Sequence, residues 1–200
     1  RHFYTIGQTG TGKSTLLKNM AIQDIINGDG VCVIDPHGVD INDILGAIPE
    51  HRMKDVIYFD PGYTARPMAL NMLEYDERFP EQKTFVVNEM FSIFQKLYGD
   101  TPESMGPMFE QYMRNALLLL MEDMSLQAGG ELATLIEVPR VFTDPGYRKQ
   151  KLERIHNPTV RDFWEKEAQK AGGDAALANM VPYITSKLTQ FVSNDILRPI

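Results

Sequence analysis

Glycines at positions 7, 10 and 12, followed at once by Lys13 and Ser14, constrain this chain more than any other feature. The run Gly7-Gln8-Thr9-Gly10-Thr11-Gly12-Lys13-Ser14 fits the phosphate-loop spacing G-x-x-x-x-G-K-[ST]. Its flanks agree with the motif. His2-Phe3-Tyr4-Thr5-Ile6 reads as a short strand of aromatic and β-branched residues. Across residues 14–26, Leu16, Leu17, Met20, Ile22, Ile25 and Ile26 recur at roughly helical spacing.

The residue types follow from what a polyphosphate needs. It needs many donors at close range, and backbone N–H groups supply them only where no Cβ blocks the approach. Glycine removes that obstacle and allows the positive φ angles of an anion nest. The first N–H groups of the following helix add partial positive charge. Lys13 is then placed to reach the β- and γ-phosphates, and Ser14 to set its hydroxyl on Mg²⁺. The expected nucleotide-binding set is Gly7, Gln8, Thr9, Gly10, Thr11, Gly12, Lys13, Ser14 and Thr15, with ATP or GTP as ligand. The competing reading, a tight glycine turn beside a solvated lysine, leaves the agreement of the flanks unexplained.

Two hundred residues give room for one sizeable domain, or a domain with a smaller insert. With 43% hydrophobic and 24% charged residues the chain reads as an ordinary globular protein. No apolar run nears the roughly eighteen residues of a membrane span, and the opening strand pattern is not that of a signal peptide. Cys32 is the single cysteine, which excludes an internal disulfide and favours a reducing compartment. Among Val31, Val33 and Ile34 it reads as a buried thiol. His2, His37, His51 and His156 lack ligand spacing, so no zinc site is expected. A net charge of −7 argues against a surface that is basic all over, while leaving local nucleic-acid contact open.

Gly28-Asp29-Gly30 stops the first helix. Val31-Cys32-Val33-Ile34-Asp35 and Val56-Ile57-Tyr58-Phe59-Asp60 are apolar runs ending in an acid, as buried strands read. A short helix over 40–46 lies between them. Such alternation predicts a parallel sheet with helices on its faces. Asp35, at the carboxyl end of its run, either lies near the Mg²⁺ or merely starts the turn; Asp60 poses the same choice. From Pro80 onward the periodicity is helical, over 82–98, 107–124, 132–142, 145–155, 159–171 and 174–194. Gly129-Gly130 breaks the chain, and Pro139 kinks or divides its helix. The Met and Phe stripes read as core. Arg148, Lys149, Lys151 and Arg154, followed by His156, read as a solvated helix face in preference to a phosphate contact.

Ile6-Gly7-Gln8-Thr9-Gly10-Thr11-Gly12-Lys13-Ser14-Thr15-Leu16-Leu17, followed by Val33-Ile34-Asp35-Pro36-His37-Gly38, resembles the HerA/FtsK superfamily of DNA-pumping ATPases. Within it the chain is most similar to the type IV secretion coupling proteins (TraD/TraG-like) and HerA-like bacterial ATPases. Asn71-Met72-Leu73 is similar to the family's Asn-Pro-Leu signature. Arg114-Asn115-Ala116-Leu117, and Asp162-Phe163-Trp164 with Lys187-Leu188, resemble its helical insert.

The resemblance implies an α/β, RecA-like phosphate-loop fold, a parallel sheet flanked by helices with a large all-helical insert. Residues 1–78 would be the N-terminal part of the nucleotide-binding domain and 79–200 the insert, leading back toward the rest of the motor. It further implies an ATPase that forms a homo-oligomeric ring, a hexamer, and hydrolyses ATP to pump DNA. Lys13 would be catalytic, stabilising the γ-phosphate, with Ser14 and Asp35 at Mg²⁺. The implied location is cytoplasmic, with membrane or secretion-complex partners engaged through segments outside this chain. Two departures stand out. Val39 occupies a position where the family commonly has an acid. After Asn71 no strand ends in two acids, since Leu119-Leu120-Met121-Glu122-Asp123 continues a helix. The expectation is therefore an incomplete motor, lacking the acidic strand and catalytic glutamate and weak or inactive alone. A protein-remodelling or secretion ATPase and a non-hydrolysing nucleotide-binding scaffold are the alternatives. Arg52, Arg66, Arg114 and Arg161 are unranked candidates for an arginine finger.

Overall fold

The computed structural model describes residues 2–63, 65–66, 68–99, 105–123, 133–168 and 173–193. The chain divides into two compact units, residues 1–59 and 60–200.

The first unit is built on helix α1 (Lys13–Asn27) and the short helix α2 (Asp40–Gly46), followed by a 3₁₀ turn at Glu50–Asp55. Helix α1 stops where the sequence places Gly28, at φ 94°. The Gly28 N–H donates to the Ile25 carbonyl and the Asp29 N–H to that of Asp24, at 3.2 and 2.9 Å. This is the reciprocal pair of bonds that closes a helix through a left-handed glycine. Arg52 reinforces the stop, donating from Nη1 to the Ile25 carbonyl at 2.9 Å and from Nε to Asp55 at 3.1 Å. Arg161 in the second unit likewise donates to carbonyls, those of Leu152 and Ile155.

The parallel sheet expected here is not formed: among the described residues there is no β-strand, and the architecture is helical. Residues 2–6, 31–35 and 56–60 carry no ladder pairing. Most of their side chains are exposed, Tyr4 at 85%, Ile34 at 87% and Ile57 at 81%. The α/β reading fails for a physical reason. An apolar run satisfies the packing demand of a buried strand, but a strand exists only when a neighbouring chain takes its N–H and C=O groups. Such runs do not specify that neighbour. Cys32, expected to be buried, is exposed for the same reason. The buried apolar residues of this unit among those described are Ala21 and Ile44, a thin core.

The second unit is a helical assembly around α4 (Pro107–Met121), preceded by α3 (Gln82–Tyr98) and followed by α5 (Val138–Thr143), α6 (Pro145–Arg154), α7 (Pro158–Asp162) and α8 (Gly173–Val192). Helix α4 buries Phe109, Tyr112, Met113, Ala116, Leu117, Leu119, Leu120 and Met121, as its nearly continuous apolar sequence requires. Its described end is Met121, with Glu122 as cap. Starts are marked locally. Pro107, Pro145 and Pro158 sit in first turns, Thr134 and Glu137 form a capping box, and Asn157 accepts the Thr159 N–H. Pro139 does not kink a longer helix; it lies in the first turn of α5, after a 3₁₀ turn at Leu135–Glu137. Phe163–Glu167 forms a π turn after α7 and buries Phe163 and Trp164. The Trp164 indole N–H donates to the Asn115 carbonyl at 3.2 Å, and its ring meets Phe142 edge-on at 5.4 Å. The expected helical extensions over 124, 132, 169–171 and 194, the Gly129-Gly130 break and the final Arg198-Pro199-Ile200 lie outside the described residues.

The stretch from Asn71 to Tyr75 packs with the helices. Leu73 is fully buried, the Asn71 amide donates to the Ala133 carbonyl at 3.1 Å, and the Tyr75 hydroxyl to that of Met121 at 3.0 Å. The basic cluster on α6 is only in part a solvated face: Lys149 is exposed and Arg154 partly so, but the other two cations are buried. Arg148 and Lys151 are 3% and 8% exposed. Arg148 donates to the Val141 carbonyl at the end of α5 at 2.8 Å, while Lys151 pairs with the buried Asp123 carboxylate, which Arg154 also meets at 3.4 Å. Periodicity cannot reveal this, because long cationic side chains bury their stems and seek an acid from another helix. Among the described residues no helix is long and apolar enough to cross a membrane.

Candidate functional site

The glycine loop leads directly into α1. Gly10 and Gly12 adopt φ 84° and 87°, in the left-handed region where an L side chain is strained. Gly12 is the N-cap residue of α1, and no side chain caps this end. The first turn holds no acid. The earliest intrahelical bond runs from the Leu16 N–H to the Gly12 carbonyl at 2.9 Å. The N–H groups of Lys13, Ser14 and Thr15 therefore have no acceptor within the helix. Loop and helix start together form a concentrated set of amide donors with a positive partial charge.

The loop is pinned from within. Thr11 donates from its backbone N–H and from Oγ1 to the Gln8 carbonyl, at 3.3 and 2.8 Å. Lys13 Nζ donates to the carbonyls of Gly7 and Gln8, at 2.8 and 2.7 Å. The ammonium thus stands over the loop. Gly7 serves close approach instead of φ. A Cβ added there would lie 2.5 Å from Thr11 Oγ1 and 3.6 Å from the stem of Lys13. Gln8, Thr9, Ser14 and Thr15 are exposed. The donor set suits a phosphate group: backbone amides, one ammonium, and open space where a Cβ would stand at Gly10 and Gly12. Ser14 offers the hydroxyl that Mg²⁺ would take beside such a phosphate.

Asp35 is bound by its own turn. Oδ1 accepts the His37 N–H at 3.0 Å; Oδ2 accepts those of Asp40 at 2.8 Å and Ile41 at 3.3 Å. The His37 amide, followed by those of Asp40 and Ile41, holds this carboxyl below the ordinary carboxylate value, against the opposing effect of desolvation. The turn closes through Gly38, at φ 71°. In this arrangement Asp35 caps the first turn of α2. Among the described residues no group of three or more His, Cys, Asp or Glu is placed to hold a metal ion.

One residue that sequence reasoning passed over joins these two features. Lys18, on α1, pairs with Asp43 at 2.5 Å and Asp40 at 3.2 Å, both on α2. Its side chain is 20% exposed. The hydrogen bonds to Asp43 and Asp40 raise its pKa above the ordinary lysine value. The available signal was weak: a lysine four residues after Ser14, and two acids three apart on the next helix.

Of the remaining arginines, Arg114 donates to Asn88 and Glu110, each at 2.9 Å, and lies over the Phe91 ring. Arg66 is exposed. A search of known protein families, curated protein sequences and solved structures finds no match to this chain.

Proposed function

We propose that residues 7–15 bind the phosphates of ATP, with Mg²⁺ on the Ser14 hydroxyl, and that the chain serves an ATP-driven DNA translocase or conjugative coupling ATPase working as an oligomeric ring. The observation that carries the nucleotide reading is local. Two left-handed glycines lead into an uncapped, acid-free helix N-terminus, with Lys13 standing over the loop. Gly7, Gly10 and Gly12 would keep the amides accessible. Lys13 would transfer its donors from the loop carbonyls to the β- and γ-phosphate oxygens. Bound Mg²⁺ would neutralise charge developing on the transferring phosphoryl group. DNA as the moved substrate, the ring and the coupling role rest on the resemblance of residues 6–17 and 33–38 to the DNA-pumping ATPases. The reading depends on this loop and not on a surrounding sheet.

A non-hydrolysing scaffold is favoured by one observation, the engagement of both Asp35 oxygens with backbone amides. One experiment separates these readings: ATP binding and turnover by the full-length protein, with and without single- and double-stranded DNA, beside Lys13→Ala. Turnover stimulated by DNA and abolished by Lys13→Ala is the expected result. Tight binding without turnover would select the scaffold, turnover indifferent to DNA a protein-remodelling ATPase, and no ATP binding would overturn the nucleotide reading.

A further inference from the structure

Lys18 sits four residues beyond Ser14, so both occupy one face of α1. From that face its ammonium reaches Asp40 and Asp43, in the first turn of α2. The backbone N–H of the same Asp40 donates to Asp35 Oδ2, and the Ile41 N–H joins it. A continuous set of bonds therefore runs from the helix that begins at the glycine loop to the Asp35 turn. Two features distinguish it, although Asp43 itself is 64% exposed: Lys18 contacts two acids at once, and the backbone of one of them, Asp40, donates to Asp35. Within this unit the fully buried apolar residues among those described are Ala21 and Ile44, and these polar ties add to the contact between α1 and α2.

We propose that Lys18 is a positioning residue that couples phosphate binding at the glycine loop to the conformation of residues 35–41. The inference rests on the phosphate-loop reading. An anion held by the amides of Lys13, Ser14 and Thr15 orders the first turn of α1, and Lys18 lies one turn further along. Lys18 passes that order to α2 through Asp40 and Asp43, and thence to the amides gathered on Asp35. Coupling is reciprocal: removing the tie loosens the Asp35 turn in the bound state and weakens ATP binding by the same factor.

The test uses the full chain with Mg·ATP as probe, comparing wild type, Lys18→Met, Lys18→Arg and Lys13→Ala. Amide hydrogen exchange at His37, Asp40 and Ile41 is followed with and without nucleotide, alongside the ATP dissociation constant. In wild type, ATP slows exchange at these amides. In Lys18→Met the slowing is lost and ATP binds about fivefold more weakly, the low end of usual coupling, while Lys18→Arg restores both. A purely structural lysine would instead raise exchange equally with and without ATP and leave the nucleotide-dependent difference intact. That result overturns the proposal, as does ATP binding by wild type without slowing at these amides. Should Lys18→Met not fold, Asp43→Asn removes one of the two ion pairs; an ATP-induced slowing equal to wild type would then refute the coupling. If wild type fails to bind ATP in a Lys13-dependent way, the phosphate-loop reading itself falls, and the coupling falls with it.

Discussion

Lysine 151 is the position at which a single substitution should cost the helical unit most for its size. Its ammonium pairs with Asp123, and the two side chains are only 10% and 3% exposed. The pair therefore lies outside the regime of surface salt bridges, which contribute about 0–1 kcal/mol. Replacing Lys151 by Met keeps roughly the length of the stem, but removes the ammonium that stands 5.4 Å from the Tyr147 ring centroid and leaves the Asp123 carboxylate buried with weaker compensation. Removing one partner of a buried pair typically costs about 3–5 kcal/mol. Arg154 still meets Asp123 at 3.4 Å, but its own side chain is 40% exposed. Its compensation is partial, and the expected loss is about 3 kcal/mol, near the lower end of that range. This corresponds to roughly a hundredfold change in the unfolding equilibrium. Trp164, the one tryptophan and fully buried in this unit, reports unfolding by its fluorescence in urea. The double variant Asp123→Leu/Lys151→Met removes both charges and should recover most of the loss, because a buried pair replaced by apolar groups is often neutral. A Lys151→Met cost below about 1 kcal/mol would place the pair among solvent-screened bridges and refute the reasoning. So would a double variant less stable than Lys151→Met alone.

Other perturbations probe the loop and the core. Gly12→Ala meets no steric neighbour, yet forces an L residue to φ 87°; it should destabilise the loop by about 1–2 kcal/mol and weaken ATP binding, both measurable by calorimetry. Trp164→Ala removes the ring packed against Phe142 and Phe163 and should cost about 3–5 kcal/mol, read as a lower urea midpoint by circular dichroism. Asp35 is held below its ordinary value of 3.8, so its bonds stabilise the folded state above that pH. That contribution disappears as pH falls through the lower, folded-state value. Asp35→Asn should therefore lower the melting temperature at neutral pH and narrow its gap to wild type on strong acidification; a gap that stays constant with pH would refute the assignment. For Tyr147, burial pushes the hydroxyl up to about 12, with the charge of Glu137 adding to the effect. Its ultraviolet titration should accordingly run later than that of exposed tyrosines.

Helices α1, α2, α3, α4, α6 and α8 were legible in the sequence because their causes are local, whereas α5 and α7 are shorter than the periodicity suggests. Apolar residues three and four apart define α3 and α4, and Gly28, Pro107, Pro145 and Asn157 mark ends within a few residues of the bonds they make. The glycine loop was legible for the same reason. Positive φ at Gly10 and Gly12 and the close approach at Gly7 are demands that particular residues meet at their own positions. What the sequence could not determine was every feature that depends on a partner far along the chain. Residues 31–35 and 56–60 are apolar enough for strands, yet a ladder requires neighbours that an apolar run does not name, and these residues are not assigned to strands. The cations of α6 have the spacing of a wet face, but Asp123 lies 28 residues from Lys151 and draws it inward. The bonds from the His37, Asp40 and Ile41 amides to Asp35 likewise depend on how residues 35–41 fold. Lys18 acquired a role only when α2 came to lie beside α1. Local conformational preference belongs to a short stretch of residues, whereas hydrogen-bond and charge partners are chosen by the packing of the folded chain.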